Sequence, residues 1–561
     1  MNVAAVLPEP SQTQTSEHGE VFTRRWVVDL ILDLAGYTPD RDLASLVAVE
    51  PACGKGAFLV PMAERLAKSC VVHGRDLPGA AAALRAYDLL TSNVVSSRVA
   101  VVGALQNHGV PLAGAQRLAR RWITQADFLL RDQEDSTADF VLGNPPYIRL
   151  ENVPPARSAA YRQVCRTMRG RSDVFVGFIE RGLRLLRDDG VLGFIVADRW
   201  MRNQYGAALR AMVNDGFAVD HFIQLHDADV FDDRVSAYPA ITIMRRGVQG
   251  QPVIAETTAT FGRPGATRLS RWVRSSESTR LTGSSVKAAR LPGWFSGSAS
   301  WPAGTPNELA LVADLESRFP PLEDKRTRTR VGIGVATGLD SVYLTEAPDL
   351  VEPARLLPMA MANDTAGGQV AWSGICLVNP WQDGRLVQLD NNPRLRRYFA
   401  AHEVSIRARH VARQNPSNWY RTIDRVEPHL LERPKLLLPD LKASIHPVLE
   451  EGNLYPHHNL YFVTSDGWDL EVLGGLLLSD VANLFVGAYC VKMRGGCYRF
   501  QAQYLRRIRV PRPESVRKAD RRALARAFTS RDVEAATEIA RRLYDIDELP
   551  LSCRTLIPRI A

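Results

Sequence analysis

The chain has 561 residues, 45% of them hydrophobic and 23% charged. That is too long for one ordinary core and typical of a globular protein, so two or three domains are expected. No apolar run reaches membrane-spanning length and the first residues lack the basic and apolar regions of a signal peptide, which points to a cytoplasmic protein with no membrane partner. The formal net charge of +9 favours a polyanionic partner, because each neutralised phosphate releases counterions.

Residues 1–18 read as a loose polar tail. A helix is expected from Arg24 to Leu34, with Trp26, Val27, Leu30, Ile31 and Leu34 at helical spacing. Strands and helices then alternate. Strands are expected at Leu46–Glu50, Val71–Asp76, Trp122–Asp127, Asp139–Gly143, Val191–Ala197, Phe222–Leu225 and Ala240–Met244. Helices are expected at Phe58–Leu66, Ala80–Leu90, Val174–Leu186 and Tyr205–Asn214. This alternation predicts an α/β fold, a Rossmann-like, doubly wound, mostly parallel sheet over residues 19–250. The Ser, Gly and Arg-rich stretch 251–306 reads as a linker with irregular structure. Residues 307–511 form a second, mixed α+β domain, with strands at Val331–Val335, Lys435–Leu438, Asn459–Val463 and Ala488–Val491. A helical tail, 512–561, holds Arg517–Phe528 and Val533–Tyr544. The seven cysteines form no Cys-x-x-Cys pair and no His cluster has zinc-ligand spacing, so reduced thiols and no metal are expected.

The chemistry concentrates at strand ends. Glu50-Pro51-Ala52-Cys53-Gly54-Lys55-Gly56 lies between a strand and a helix. Its glycines let a ligand approach the backbone, and the helix N-terminus offers free amides; a tight turn with no ligand is the alternative. Asp76 ends the next expected strand, where an acid suits ribose hydroxyls or simply caps a helix. Asp127-Phe128 ends the third, a carboxylate and a ring suited to an adenine, or a cap and a core Phe. Asn144-Pro145-Pro146-Tyr147 follows the apolar run Asp139–Gly143. The Asn144 side-chain oxygen and the Pro145 carbonyl can accept both hydrogens of a planar amine, localising a lone pair otherwise spread into the ring. Tyr147 can stack on the base. Proline stiffness keeps the acceptors in place.

In this order, the motifs resemble the gamma-class N6-adenine DNA methyltransferases of restriction–modification systems, of the TaqI type, over about Gly19 to Arg246. The resemblance implies a class I fold that uses S-adenosylmethionine. It implies that Thr23 meets the methionine carboxylate, that Glu50 to Gly56 form the glycine motif, and that Asp76 holds the ribose. Asp127, Phe128 and Phe178 would surround the cofactor adenine. Asn144, Pro145, Pro146 and Tyr147 would be catalytic, and Phe231 would contact the flipped base. A buried core Phe, or Tyr238 in its place, is the alternative for that last position. Patches at Val331–Asp340 and Arg433–Asp440 resemble the TaqI-like specificity domain, making 307–511 a target-recognition domain.

The arginines Arg149, Arg157, Arg162, Arg166, Arg169 and Arg171, opposed only by Glu151, fit a loop gripping DNA phosphates or a solvated basic surface. Arg407, Arg409, His410, Arg413, Asn415 and Lys442 are groove-contact candidates. The expectation is therefore a monomeric, site-specific adenine methyltransferase of a bacterial or archaeal cell acting on double-stranded DNA, with no cleavage activity of its own; a separate restriction endonuclease as its counterpart, a phage-defence system and a solitary methyltransferase all fit as its setting. RNA or protein-glutamine methylation and a non-catalytic DNA-binding relative are the alternatives. Cytosine ring methylation would need a Pro-Cys nucleophile, and the chain has none.

Overall fold

The computed structural model describes residues 22–232, 239–275, 278–295, 297–492 and 497–550. The chain divides into two compact units, Met1–Ala310 and Leu311–Ala561.

The first unit is built in chain order from α1 (Arg25–Leu34), β1 (Ala48–Glu50), α2 (Leu59–Val72), β2 (Leu84–Asp88), α3 (Thr91–Asn107), α4 (Leu112–Trp122), β3 (Ile123–Gln125) and β4 (Ala138–Gly143). It continues with α5 (Pro155–Val164), α6 (Phe175–Leu185), β5 (Leu186–Ala197), α7 (Ala207–Gly216), β6 (Phe217–Gln224), β7 (Pro239–Arg246), β8 (Val253–Thr257), α8 (Arg263–Arg274), β9 (Arg280–Thr282) and β10 (Val286–Arg290). The ten strands form one sheet in the order β3-β2-β1-β4-β5-β7-β6-β8-β10-β9. From β3 to β5 every pairing is parallel; β7 lies antiparallel between β5 and β6, and β10 antiparallel between β8 and β9. The doubly wound α/β expectation holds, with the parallel half carrying the motifs and the other half mixed.

Alternating side chains feed two cores, one on each face. Phe140 and Leu142 of β4 and Ile195 of β5 join α1, α2 and α8 on one face. Val141, Phe194 and Val196 join α6 and α7 on the other. Period-two alternation in a strand sandwiched between helices requires apolar residues on both sides, and β4 has them.

Three expectations need correction. The segment Val71–Asp76 is not a strand: Val71 and Val72 finish α2, 82% and 65% exposed, and Asp76 lies exposed in the following loop. Two β-branched residues on a helix end imitate a strand. The expected helix Ala80–Leu90 holds β2 instead. The strand expected to begin at Val191 begins at Leu186, so Asp188–Gly190 lies within β5, with Asp189 in the left-handed region at φ 58°.

The stretch 251–306 is also not a linker. It supplies β8, α8, β9 and β10, and Ala266, Leu269 and Trp272 of α8 are buried in the core that holds α1. The composition is polar because α8 exposes one arginine-rich face, while its apolar residues recur at helical spacing.

In the second unit, strands Arg330–Ile333, Leu460–Thr464, Lys435–Pro439 and Val448–Glu450 form an antiparallel sheet in that order. The expected strand Ala488–Val491 begins as the end of the helix Asp480–Tyr489. The helices Lys518–Thr529 and Val533–Tyr544 are not a tail. Leu524, Phe528, Ile539 and Tyr544 share a core with Leu473 and Leu477. Their approach is close: a Cβ on Gly475 would stand 2.5 Å from the Leu524 carbonyl oxygen. Among the described residues, no single helix is long and apolar enough to cross a membrane.

Leu269 is fully buried. Leu269→Ala should therefore lower stability by about 2–5 kcal/mol in denaturant unfolding. A change below about 0.5 kcal/mol would mean that α8 contributes as little as a solvated linker.

Candidate active site

The site forms where β1 and β4 lie side by side, each parallel, at the edge between two windings of the sheet. In open α/β sheets, ligands bind beyond the carboxyl ends of strands at this kind of switch point. The two strand ends nearly touch. A Cβ on Gly143 would stand 3.3 Å from Pro51 Cδ and 3.6 Å from Glu50 Cγ, so glycine lets the loop after β4 pass the turn after β1.

Asn144 follows at once. Its Nδ2 donates to Thr23 Oγ1 at 3.1 Å, which makes Oδ1 the acceptor side of the amide. Thr23 is buried and forms an antiparallel bridge with Phe231. Backbone bonds from Arg24 N to Val230 O and from Asp232 N to Phe22 O, both 3.1 Å, extend that pairing. The Arg24 side chain donates to Phe231 O at 3.1 Å and pairs with Asp229 at 2.7 Å. Two segments far apart in sequence thus deliver Thr23 and Phe231 to one place. Val235, Ser236, Ala237 and Tyr238 lie outside the described residues.

Pro145 is buried, and Asn144, Pro146 and Tyr147 are half-buried. The Tyr147 hydroxyl donates to Ile195 O on β5 at 3.2 Å, and burial pushes its pKa up, so the phenol stays neutral. Its ring meets Phe231 edge to face, centroids 6.0 Å apart, and Phe175 at 6.3 Å. Phe231 is therefore both buried and part of the site.

The turn after β1 puts Gly54 and Gly56 at φ 51° and 97°, conformations that glycine adopts without strain. Pro51 is buried and Ala52 half-buried. Cys53 is tied down through its N–H to Tyr87 O at 2.9 Å, and burial raises its thiol pKa, so it is no nucleophile. Lys55 is exposed, its ammonium 4.8 Å from the centre of the Phe22 ring.

The acid at the end of β2 is Asp88. Its Oδ2 accepts from Gly54 N at 2.8 Å, and its Oδ1 from Leu90 N at 2.9 Å and Asn93 Nδ2 at 3.1 Å. Asp76, the acid expected here, is not at the site. Glu50, at the end of β1, is 1% exposed. Burial, then the nearby Asp88 carboxylate, holds its pKa well above the usual range. Glu50 Oε2 has no hydrogen-bond partner among the described residues. A buried oxygen left this way is costly unless a ligand completes it.

Asp127 follows β3. Tyr161, on α5, donates to its Oδ2 at 2.8 Å and Leu129 N to its Oδ1 at 3.1 Å. Burial raises the Asp127 pKa against the opposing pull of Tyr161 and Arg157. Phe128 stacks on Phe178 of α6, centroids 5.4 Å apart at 22°, with Tyr87 tilted beside them at 6.0 Å.

The arginines sort into different jobs. Arg149, Arg166, Arg169 and Arg171 are exposed, with Glu151 3.5 Å from Arg149 and 3.6 Å from Arg171. Arg162 braces its own loop, donating to Met168 O at 2.9 Å and Gly170 O at 2.6 Å. Arg157 sits within electrostatic reach of Asp127. In the second unit Arg409 is spent internally, on the carbonyls of Thr337, Trp419 and Arg421.

One group at the site carries no sequence motif. Asp173, 2% exposed, accepts from Arg199 Nε and from Tyr205 OH, both at 2.7 Å, and also from Arg199 Nη2. Around it, Leu150 N donates to Ser172 O and Val174 N to Ile148 O, stitching the segment after Tyr147 to the start of α6. Asp173, Arg199 and Tyr205 brace the segment after Tyr147 from outside. An acid just ahead of the apolar first turn of α6 was the available signal.

Residues 113–231, a span containing Asp127, Asn144 to Tyr147 and Asp173, match the family model described as the Eco57I restriction-modification methylase. Over 542 residues the chain is 44% identical to the type II methyltransferase M.XhoI of Xanthomonas vasicola, covering 95% of this chain and 98% of that one. The chain belongs to the type II methyltransferases. A second relative, the type II methyltransferase M.PaeR7I of Pseudomonas aeruginosa, is 43% identical over 97% of this methyltransferase and 96% of its own length. A solved structure of the type IIL restriction-modification enzyme MmeI in complex with DNA shares the fold. Its TM-score is 0.51 at 12% identity, covering 94% of this chain and 74% of that one. The fold is thus shared with a restriction-modification enzyme, and here the sheet of the first unit is followed by a second compact unit.

Asp173→Asn keeps the shape of the side chain and removes the charge that holds Arg199 and Tyr205. It should cost about 1–3 kcal/mol of stability and slow methyl transfer more than it weakens cofactor binding. Denaturation curves alongside single-turnover rates and equilibrium cofactor binding measure both. A normal rate would show that the loop keeps its place without this carboxylate.

Proposed function

We propose that this methyltransferase transfers the methyl group of S-adenosylmethionine to the exocyclic amine of an adenine turned out of a double-stranded DNA recognition site. The observation that carries the reading is the placement of Asn144. Its amide nitrogen is engaged by Thr23, beyond the end of β4, next to the unsatisfied carboxyl of Glu50 and the aromatic corner of Tyr147 and Phe231.

The residues fit such a cofactor. Glu50 Oε2 is a buried acceptor awaiting a donor, which the α-ammonium of a methionine moiety supplies. Asp88, at the end of β2, takes the ribose role in place of Asp76. Gly54 and Gly56 allow close approach to the turn, and Thr23 suits the methionine carboxylate. Asp127 accepts from an adenine amine, with Phe128 and Phe178 flanking the ring. Bound there, S-adenosylmethionine supplies an electrophilic methyl group on a sulfonium sulfur.

The chain's own residues then act on the target amine. Asn144 Oδ1 and the Pro145 carbonyl accept its two hydrogens, which draws the nitrogen towards tetrahedral geometry and concentrates its lone pair on the methyl side. Pre-set acceptors need no reorganisation as charge develops. Once the new N–C bond has formed, the surplus amine proton leaves through this hydrogen-bonded pair to water. Tyr147, neutral and anchored on Ile195 O, and Phe231 present faces to the extruded base, repaying part of the lost stacking. Arg149, Arg166, Arg169 and Arg171 are exposed on the neighbouring segment and suit phosphate contacts, while Arg162 is a brace. The second unit reads sequence, and a separate restriction endonuclease is the counterpart whose cleavage the modification blocks.

Incubation with methyl-labelled cofactor and duplex DNA, RNA or a release-factor peptide tests the substrate. Label in duplex DNA, at adenine N6, is expected; label confined to RNA or peptide would overturn the reading. Asn144→Ala should bind cofactor nearly as well as the wild type and lose at least about a hundredfold in single-turnover rate. A near-normal rate would remove Asn144 from the chemistry.

Glu50 gives a pH signature. Its folded-state pKa is raised, so for this group the ligand-free protein is most stable below the ordinary carboxylate value and loses that contribution as pH rises through the raised one. Binding a cationic ammonium favours the ionised carboxylate and expels its proton. Between those two values cofactor affinity should rise with pH. Calorimetry in buffers of different ionisation enthalpy should detect proton release that is absent in Glu50→Gln. Equal proton release in the variant would place the titrating group elsewhere.

A further inference from the structure

The second unit gathers three metal-ligating atoms that no sequence spacing announces. His457 and His458 are neighbours, and Asp340 comes from a distant segment. His458 Nδ1 lies 2.9 Å from His457 Nε2, which lies 3.3 Å from Asp340 Oδ2. One ligand atom from each residue falls within 4.8 Å of the other two.

We propose that Asp340, His457 and His458 form a binding site for a zinc-class divalent cation, with three protein ligands and an open position. Ligands about 2.0–2.2 Å from a tetrahedral ion stand about 3.3 Å from one another, close to the separations here. Hydrogen bonding alone accounts for the cluster less well. Two facing imidazole nitrogens share at most one proton, and 3.3 Å exceeds the roughly 2.7–2.9 Å of a charge-assisted bond between imidazolium and carboxylate. One ligand atom from each of the three residues is instead close enough to the other two to share an ion.

The ligands are also held in place. His457 is 3% exposed, and its N–H donates to Ala360 O at 3.0 Å, while His458 N donates to Val335 O at 3.1 Å. The strand beneath is pressed so close that a Cβ on Gly334 would stand 2.2 Å from His457 O. On the other side, Thr337 donates its hydroxyl to Asp340 Oδ1 and accepts from Leu339 N at 3.1 Å. That turns Oδ2 towards His457, and Arg409 fixes Thr337 in turn through its carbonyl at 2.9 Å. Outer partners that orient a ligating carboxylate are a regular part of built metal sites. His458 and Asp340 are exposed, which leaves the ion a way in and the fourth position open to solvent or to an anionic oxygen.

The test uses the full-length protein, stripped with chelator and dialysed against Zn²⁺ alone, with bound metal counted by mass spectrometry. One equivalent is expected. His458→Ala and Asp340→Asn should each weaken binding at least tenfold, whereas His410→Ala, an exposed histidine outside the cluster, should leave it unchanged. Co²⁺ in place of Zn²⁺ should give visible absorption bands that vanish in His458→Ala. Thermal melts of the metal-free variants check that each is folded. No bound equivalent, or binding that all three variants share, overturns the site. So does a pattern in which His458→Ala and Asp340→Asn weaken DNA binding with no metal taken up, because the cluster would then be a polar surface that reads bases directly.

Discussion

Everything at the active site depends on how closely the ends of β1 and β4 approach. A Cβ on Gly143 would stand 3.3 Å from Pro51 Cδ, so any other residue there would make the Pro51 ring give by a few tenths of an ångström. Because the strands are parallel neighbours, their carboxyl ends open on the same side. The turn that begins at Glu50 and the loop that begins at Asn144 therefore face one cavity. A larger residue at 143 would press the loop after β4 against the turn after β1.

Two buried charges, or near-charges, shape that cavity. Glu50 and Asp88 are carboxyl groups at the ends of adjacent strands, and only one of them is stabilised by hydrogen bonds as an anion. Asp88 accepts from Gly54, Leu90 and Asn93, whereas burial and the neighbouring Asp88 carboxylate raise the pKa of Glu50. The same division of labour recurs at Asp173, where Arg199 and Tyr205 supply the compensation. In one case the uncompensated oxygen is left for a ligand; in the other the compensation fixes a loop.

The sequence was most legible where chemistry is local. Asn144 to Tyr147 after an apolar strand, and the glycine turn after β1, lie where the residues place them, because strand, turn and loop are each specified by a few neighbours. Asp76 failed for a physical reason. Val71 and Val72 are β-branched and exposed, and the alanines Ala80 to Ala83, strong helix formers, run straight into β2, so strand and helix were exchanged across this stretch. The acid at the end of the second strand is Asp88, because β2 runs from Leu84 to Asp88. Residues 251–306 were obscured by composition, since strands of three to five residues leave little periodicity to read. The Asp173 cluster and the Asp340–His457–His458 triad depend on tertiary approach and have no local signature. The helices after Arg517 were visible as helices, but only packing shows that they belong to a core.

The pairing of residues 22–24 with 230–232 has a consequence for how the molecule comes into being. Thr23 is among the first described residues made, and the partner that holds its neighbour Arg24 follows 207 positions later. At a synthesis rate of about 5–20 residues per second, that gap is on the order of 10–40 s on the ribosome. During it, β1 to β5 can pair, but Thr23 has no strand to lean on and the wall formed by Phe231 does not exist. A nascent chain with its cofactor turn already folded still lacks a finished pocket. The contacts that join Thr23 and Arg24 to Phe231 are thus unmade until most of the first unit has been translated, and a ribosome that stalls before Phe231 leaves a chain that cannot form them.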